Sequence, residues 1–320
     1  MKAEKFKNFL ERKKCFKLIC GAGNKNFDEI TKLCNLYAAA GCRFFDVNAS
    51  VDAIRAAKKG IKFAGKEDEC FICVSVGTKD DPHLSKCKID SEKCISCGSC
   101  EQVCLQKAIS NEGSSYLINE DRCIGCGKCI EACPIQTIER YSEEISFAEI
   151  LPPLIQEGID CIEYHAITDN DDEVMQGWAE ITKQFDGVLS VSLDRSKLGN
   201  EKLVARLKTM KNNCNNVFIV QADGAPMSGG ADDYRTTLQA VAAADIVQKA
   251  DISPHIIMSG GTNSKTMELA KLCGLSVSGY AAGSYARKIV KEFIEKDDFL
   301  QNKDIFENAL TIAKELVNKA

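Results

Sequence analysis

The sequence predicts an α/β fold, a (β/α)8 TIM-like barrel with a cysteine-rich module inserted after its third strand. Short Val/Ile/Phe-rich runs bounded by glycine or polar residues alternate with amphipathic segments of helical period. Buried parallel strands returning through helices have this pattern. The cysteine-rich segment takes about sixty residues, and the remaining chain, roughly 260, has the usual size of a barrel. A doubly wound open sheet fits the same periodicity, because periodicity does not demonstrate closure.

The start, MKAEKFKNFLERKK, has basic residues but no continuous apolar stretch, so it reads as a short amphipathic helix and not as a secretory signal. Strands are expected at 16–21, 43–48 and 71–76, and after the insert at 161–166, 188–194, 217–223, 255–260 and 277–283. Asn26 with Glu29 forms a capping-box pattern opening a helix with Ile30, Leu33 and Tyr37 on one face, closed by Gly41. Ala53, Ile54, Ala57 and Ile61 repeat the helical period between Ser50 and Gly65. Ser146 with Glu149 caps the helix leading out of the insert. Later helices are marked by Leu203, Leu207 and Met210, by Leu238, Val241 and Ala242, and by Met267, Ala270 and Cys273 before Gly274. The expected division is 1–80 for the first part of the barrel, 81–141 for the module, 142–294 for the remaining strands and 295–320 for a C-terminal helix.

Within the module the cysteines fall as Cys94-x2-Cys97-x2-Cys100-x3-Cys104 and Cys123-x2-Cys126-x2-Cys129-x3-Cys133-Pro134, a repeat offset by 29 residues (123 − 94). This is the bacterial-ferredoxin spacing. Three thiolates of a short loop converge on one [4Fe–4S] cluster, and the fourth cysteine of that run serves the other. The spacing assigns Cys94, Cys97, Cys100 and Cys133 to one cluster, and Cys123, Cys126, Cys129 and Cys104 to a second. Structural zinc and disulfides are the competing uses of such cysteines. Cys104 is followed by Leu105, where Cys133 is followed by Pro134.

With 45% hydrophobic and 27% charged residues and a net charge of −5, the composition is that of an ordinary globular protein. No concentrated basic face points to nucleic acid, and no apolar run reaches the length of a membrane span. Ten of the 18 cysteines lie outside the two motifs, mostly among apolar neighbours, and read as buried thiols of a reducing cytoplasm. Cys70 and Cys73 lie three apart on a strand, so they face opposite sides and do not pair locally. Cys87, just ahead of the first motif, is the extra thiol to watch as an accessory or redox-exposed site.

Polar i, i+2 pairs end several strands: Asp46/Asn48, Glu163/His165, Ser192/Asp194 and Gln221/Asp223. Any one pair has a plain reading as a cap or a helix-orienting hydrogen bond, whereas the set points to a mouth that binds something. Ser259-Gly260-Gly261-Thr262-Asn263 and Gly279-Tyr280-Ala281-Ala282-Gly283-Ser284 follow the last two strands, where barrels often hold a phosphate. Gly260, Gly261, Thr262, Gly283, Ser284 and Arg287 are thus candidates for binding FMN or another phosphate-bearing ligand, against the alternative of tight turns. The 21–24 turn is a weaker glycine signal, and 226–230 looks like a lid or ligand loop. Of three histidines, His255 opens a strand and reads as structural, His83 lies at the exit to the module, and His165 beside Glu163 is the acid–base candidate. No nucleophile–His–carboxylate set is readable.

Asp81-Pro82-His83-Leu84-x-Lys86, Gln221-Ala222-Asp223-Gly224-x-Pro226-Met227-Ser228-Gly229, Gly260-Gly261-Thr262-Asn263 and Gly283-Ser284-Tyr285-Ala286-Arg287-Lys288 resemble the cyanobacterial light-dependent-period iron–sulfur protein family over nearly the whole chain. The resemblance implies an iron–sulfur redox-responsive factor, in a family that passes light-set redox state to the circadian clock. Nothing in the chain itself indicates a clock partner or a photosynthetic host. Three functions follow: a redox-responsive regulator with an unidentified redox or regulatory protein partner, an oxidoreductase whose clusters relay electrons to a flavin at the barrel mouth, and a plain electron carrier. The mixed charges of the module give the carrier no clear docking face.

Overall fold

The computed structural model describes residues 2–21, 23–78, 85–104, 107–120, 122–123, 125–141, 146–193, 195–224 and 231–320. Helix α1 (Lys2–Glu11) precedes strand β1 (Cys15–Ile19), and α2 (Phe27–Ala39), β2 (Phe44–Asn48), α3 (Val51–Phe63) and β3 (Phe71–Gly77) follow. The insert contains β4 (Lys86–Ile89), α4 (Ser99–Val103), β5 (Ile109–Asn111), β6 (Tyr116–Ile118), α5 (Lys128–Ala132) and β7 (Ile138–Tyr141). Alternation resumes with α6 (Phe147–Gln156), β8 (Cys161–His165), α7 (Asp171–Gln184), β9 (Val188–Leu193), α8 (Arg195–Asn212) and β10 (Phe218–Asp223). It ends with α9 (Tyr234–Lys249), β11 (His255–Ser259), α10 (Thr266–Leu272), β12 (Gly279–Ala282), α11 (Ser284–Ile294) and α12 (Lys303–Val317).

Eight parallel strands close in the order β1-β12-β11-β10-β9-β8-β3-β2, so the sheet is a barrel and not an open doubly wound sheet. Closure is made by β1 against β12, from Cys15 opposite Gly279 to Leu18 opposite Ala282. The expected barrel strands all form, their ends shifted by a residue or two. Asn26 and Ser50 accept cap bonds from the Glu29 and Ala53 amides, as the sequence suggested. Ser146 stands at the N-cap of α6, but its hydroxyl makes no cap bond; its carbonyl accepts the Glu149 amide instead.

Outward-facing strand residues meet the helices in the main core, where Tyr164 stacks near Trp178 and Phe16 meets Tyr37 and Tyr280. On α9 that face is made by Thr237, Ala240, Val241 and Ala244, while Leu238 is 51% exposed, one step off the stripe. Inside the barrel a separate apolar layer holds Phe44, Cys73, Cys161, Ile219 and Ile257. Helix α1 stops this end: Phe6 and Leu10 are fully buried, and the Phe6 ring stacks on Phe71 at 4.2 Å. Burial of two such side chains contributes about 2–3 kcal/mol each, which explains why a helix precedes the first strand.

The insert follows the C-terminal end of β3. Its outer hairpin pairs β4 with β7 antiparallel, and β5 pairs with β6. The sequence duplication recurs in the backbone. Positive φ angles occur at Ser96 and Gly125, at Gly98 and Gly127, and at Lys107 and Gln136, each pair 29 residues apart. Gly98 and Gly127 cap α4 and α5 with φ of 79° and 77°, a left-handed conformation that glycine adopts without a Cβ penalty.

Candidate metal centre and barrel mouth

Each CxxCxxC loop turns through its left-handed residues and enters a single turn of helix, so its three sulfurs converge. Cys94, Cys97 and Cys100 line one cavity together with Cys133, the last cysteine of the other run. In the second half Cys129 has Cys104, Cys123 and Cys126 around it. Cys133 thus stands with the cysteines of the first loop, and Cys104 near those of the second. Four thiolates converging on a common space suit a [4Fe–4S] cluster, which is held by four cysteines.

The two cages differ in their surroundings. Cys97 is exposed in the first, beside Ile95 (61% exposed) and Ile135. In the second, Cys123 and Cys129 are buried. Hydroxyls reach two sulfurs of the outer cage: Ser99 Oγ lies 3.5 Å from Cys97 Sγ, and Thr137 Oγ1 lies 3.4 Å from Cys133 Sγ. The repeat places Lys128 and Ala108 at those positions in the inner cage, where the Ala108 amide donates to Cys104 Sγ at 3.3 Å. Lys86 Nζ donates to the carbonyl of Cys123 at 2.6 Å and to that of Gly23, in the loop after β1, at 2.9 Å. One ammonium therefore ties the inner cage to the barrel rim.

Above the apolar layer, the barrel interior becomes polar. Lys17 of β1 is fully buried, with Nζ 2.7 Å from Asp46 Oδ2, 2.5 Å from Glu163 Oε2 and 2.9 Å from Gln221 Oε1. Burial works against the lysine charge, and Asp46 and Glu163 outweigh it, holding its pKa well above the usual value. Burial also pushes Glu163 up, but Lys17 and His165 hold its carboxyl down at about 2. For Asp46, burial wins and its pKa is raised. Glu163 accepts from Gln221 Nε2 (2.6 Å) and Ser190 Oγ (3.0 Å), and its Oε1 lies 3.3 Å from His165 Nε2. Asp46 accepts from Ser75 Oγ at 2.8 Å. Donor atoms of Asp46, Cys73 and Glu163 gather within 4.8 Å of one another, as metal ligands do, but the Lys17 ammonium already supplies the cation there. Sequence reasoning passed over Lys17. The signal was available: a lone lysine inside the apolar run Cys15-Phe16-Lys17-Leu18-Ile19 must find carboxylates.

At the glycine loops much of the polar side-chain capacity is used internally. Thr262 Oγ1 donates to the Ala281 carbonyl, and Asn263 Nδ2 donates to Ala231 O and Asp233 O. Gly260 has φ 71°, and a Cβ there would come within 2.7 Å of the Gly224 nitrogen, so close packing of two loops accounts for it. Gly261 has φ 76°, and Gly283 precedes the first residue of α11, Ser284. Arg287 Nη1 donates to the Ile19 carbonyl at 2.9 Å. His165, Ser192 and Ser259 are buried at the strand ends and Asp223 is half-buried there, with Ser192 Oγ donating to Asp223. His255, at the opposite end of its strand, is buried with no partner for Nδ1 among the described residues, and burial lowers its pKa. His83, Asp194 and the 226–230 loop lie outside the described residues.

Cys70 and Cys73 do face opposite sides, in the outer and inner cores respectively. Cys87 is buried, not exposed, and Cys273 is exposed, not on the core face of α10. Among the described residues no helix is long and apolar enough to cross a membrane.

A 4Fe-4S dicluster domain model matches residues 87–140, the insert, so the chain is an iron–sulfur protein. The YdjI aldolase of Escherichia coli K12 shares the fold at a TM-score of 0.50, with 7% identity over 98% of this chain and 93% of its own. A truncated 3-deoxy-D-arabino-heptulosonate 7-phosphate synthase from Thermotoga maritima aligns at 0.48, with 9% identity over 95% and 83%. Sequence says more. Light dependent period A of Synechococcus elongatus is 30% identical over 298 residues, 88% of this chain and 82% of that protein. The model of the light dependent period A C-terminal domain matches residues 153–319, more than half of the chain and nearly all of the barrel after the insert. On these two matches the chain belongs to the light dependent period A family.

Proposed function

We propose that this protein is a redox-responsive regulator carrying two [4Fe–4S] clusters, one on Cys94, Cys97, Cys100 and Cys133 and the other on Cys104, Cys123, Cys126 and Cys129. The observation that carries the reading is the crossed convergence of those eight sulfurs into two sets of four. Such clusters take up and release single electrons at potentials set by the charge, hydrogen bonds and exposure around them. The chain's own residues supply an ordered arrangement. Cys97 offers an exposed point of electron entry, Ser99 and Thr137 address the outer sulfurs, and Lys86 couples the buried inner cage to the rim at Gly23. A change in the inner cage is thereby felt first at the loop after β1, beside Asn48, whose amide donates to the Asn24 carbonyl.

The test is anaerobic purification followed by iron and sulfide analysis and an EPR-monitored reductive titration. About eight irons and eight acid-labile sulfides per chain are expected, with two reducible centres. Colourless protein without labile sulfide after reconstitution overturns the reading. The polar strand ends at His165, Ser192 and Ser259, all buried, and at half-buried Asp223 favour a second reading, an oxidoreductase with a flavin or other phosphate-bearing ligand at the mouth. Stoichiometric flavin released on denaturation, and lost in Arg287→Ala while iron is kept, would favour it over the regulator.

A further inference from the structure

The two cages have eight thiols in the cysteine motifs, and the structure adds a ninth. Cys87 lies on β4 opposite Arg140 of β7, 2% exposed. It packs in one buried cluster with Cys123 and Cys129 of the inner cage. The duplication shows how unusual this is. Twenty-nine residues on from Cys87 (116 − 87) stands Tyr116, which lines the outer cavity with Cys94, Cys97, Cys100 and Cys133, so the repeat puts Cys87 at the matching place beside the inner cage. One half of the repeat presents a tyrosine, whose ring shields the cage. The other half presents a thiol, the best of protein ligands for iron in such a site.

We propose that Cys87 is a reserve iron ligand of the inner cage, able to replace Cys123 or Cys129. The inference rests on the cluster assignment above. The exchange is a substitution at iron: the Cys87 thiol gives up its proton as its sulfur binds, and the departing cysteine takes one proton as its iron–sulfur bond breaks. No electrons move. The cage thereby survives the loss or chemical blocking of one of its ligands, which the outer cage does not.

The experiment compares iron and labile sulfide per chain, with EPR of the reduced state, in full-length protein reconstituted without oxygen. Cys97→Ala, in the cage without a reserve, should lose about half its iron. Cys123→Ala should keep nearly the full complement, with an altered inner-cage signal, and Cys87→Ala combined with Cys123→Ala should fall about twofold. Cys123→Ala falling as far as the double variant overturns the proposal. Unchanged iron in Cys97→Ala would instead overturn the cluster assignment beneath it. If Cys123→Ala does not fold, Cys129→Ala, which meets the same thiol, is read in its place by the same criterion.

Discussion

Inside the barrel Lys17 is held between Asp46 and Glu163, and every charged partner comes from the chain itself. In the insert, sulfur faces sulfur, with Cys104, Cys123 and Cys126 about Cys129. Both regions gather metal-type ligands, but the barrel balances its charge internally while the insert's thiolates call for an outside cation. The difference teaches that proximity of donor atoms identifies a metal site only after the local cations have been counted. The triad of Asp46, Cys73 and Glu163 fails that count and the eight thiols pass it.

The strongest way to break this contrast is Lys17→Met. Removing one partner from a buried ion pair leaves uncompensated charge and costs about 3–5 kcal/mol. Denaturant unfolding should register that loss, while iron per folded chain stays at the wild-type value. Wild-type stability in this variant would mean that the barrel layer does not depend on its internal cation.

A smaller effect sharpens the comparison within the insert. Hydroxyls beside Cys97 and Cys133 favour the more negative, reduced state of a cluster. Ser99→Ala with Thr137→Val should lower the outer midpoint potential on the order of tens of millivolts and leave the inner one in place. Equal shifts of both centres in an EPR-monitored titration would show that the two environments are not separate.

The smallest expected effect concerns His255 at the closed end. Burial depresses its pKa below 6.5, so the folded ring stays neutral while the unfolded chain takes up a proton. The stability that this neutral ring contributes is full above pH 6.5 and is lost as pH falls toward its folded pKa. His255→Gln should flatten that slope in thermal melts between pH 7 and pH 5. An unchanged slope would assign the acid sensitivity elsewhere.

Much of this architecture could be read from the sequence because it depends on local pattern. The runs around Phe44, Phe71 and Val188 had the composition of buried strands, and Asn26 and Ser50 announced their helices through short-range hydrogen bonds. The convergence of Cys94, Cys97 and Cys100 on one cavity was legible because the short loop between them leaves little freedom. Long-range features were hidden. Closure depends on residues 15–18 meeting 279–282, and nothing local encodes it. Lys17 is explained only by carboxylates on β2 and β8. Leu238 fits a helical stripe by sequence, yet the face of α9 that packs is set by β10 and β11. Thr262 and Asn263 resemble ligand-binding residues until the Ala281 carbonyl and the 231–233 backbone claim their hydrogen bonds.

The pairing of β1 with β12 sets a timetable for biosynthesis. The ring of strands cannot shut until Gly279 has been made, 146 residues after Cys133 (279 − 133). At ordinary translation speeds that interval is roughly 7–30 s. The insert therefore leaves the ribosome complete, with all its cysteines, while the scaffold around it is still an open fan. Iron delivery to the nascent chain has this window before the last strand docks.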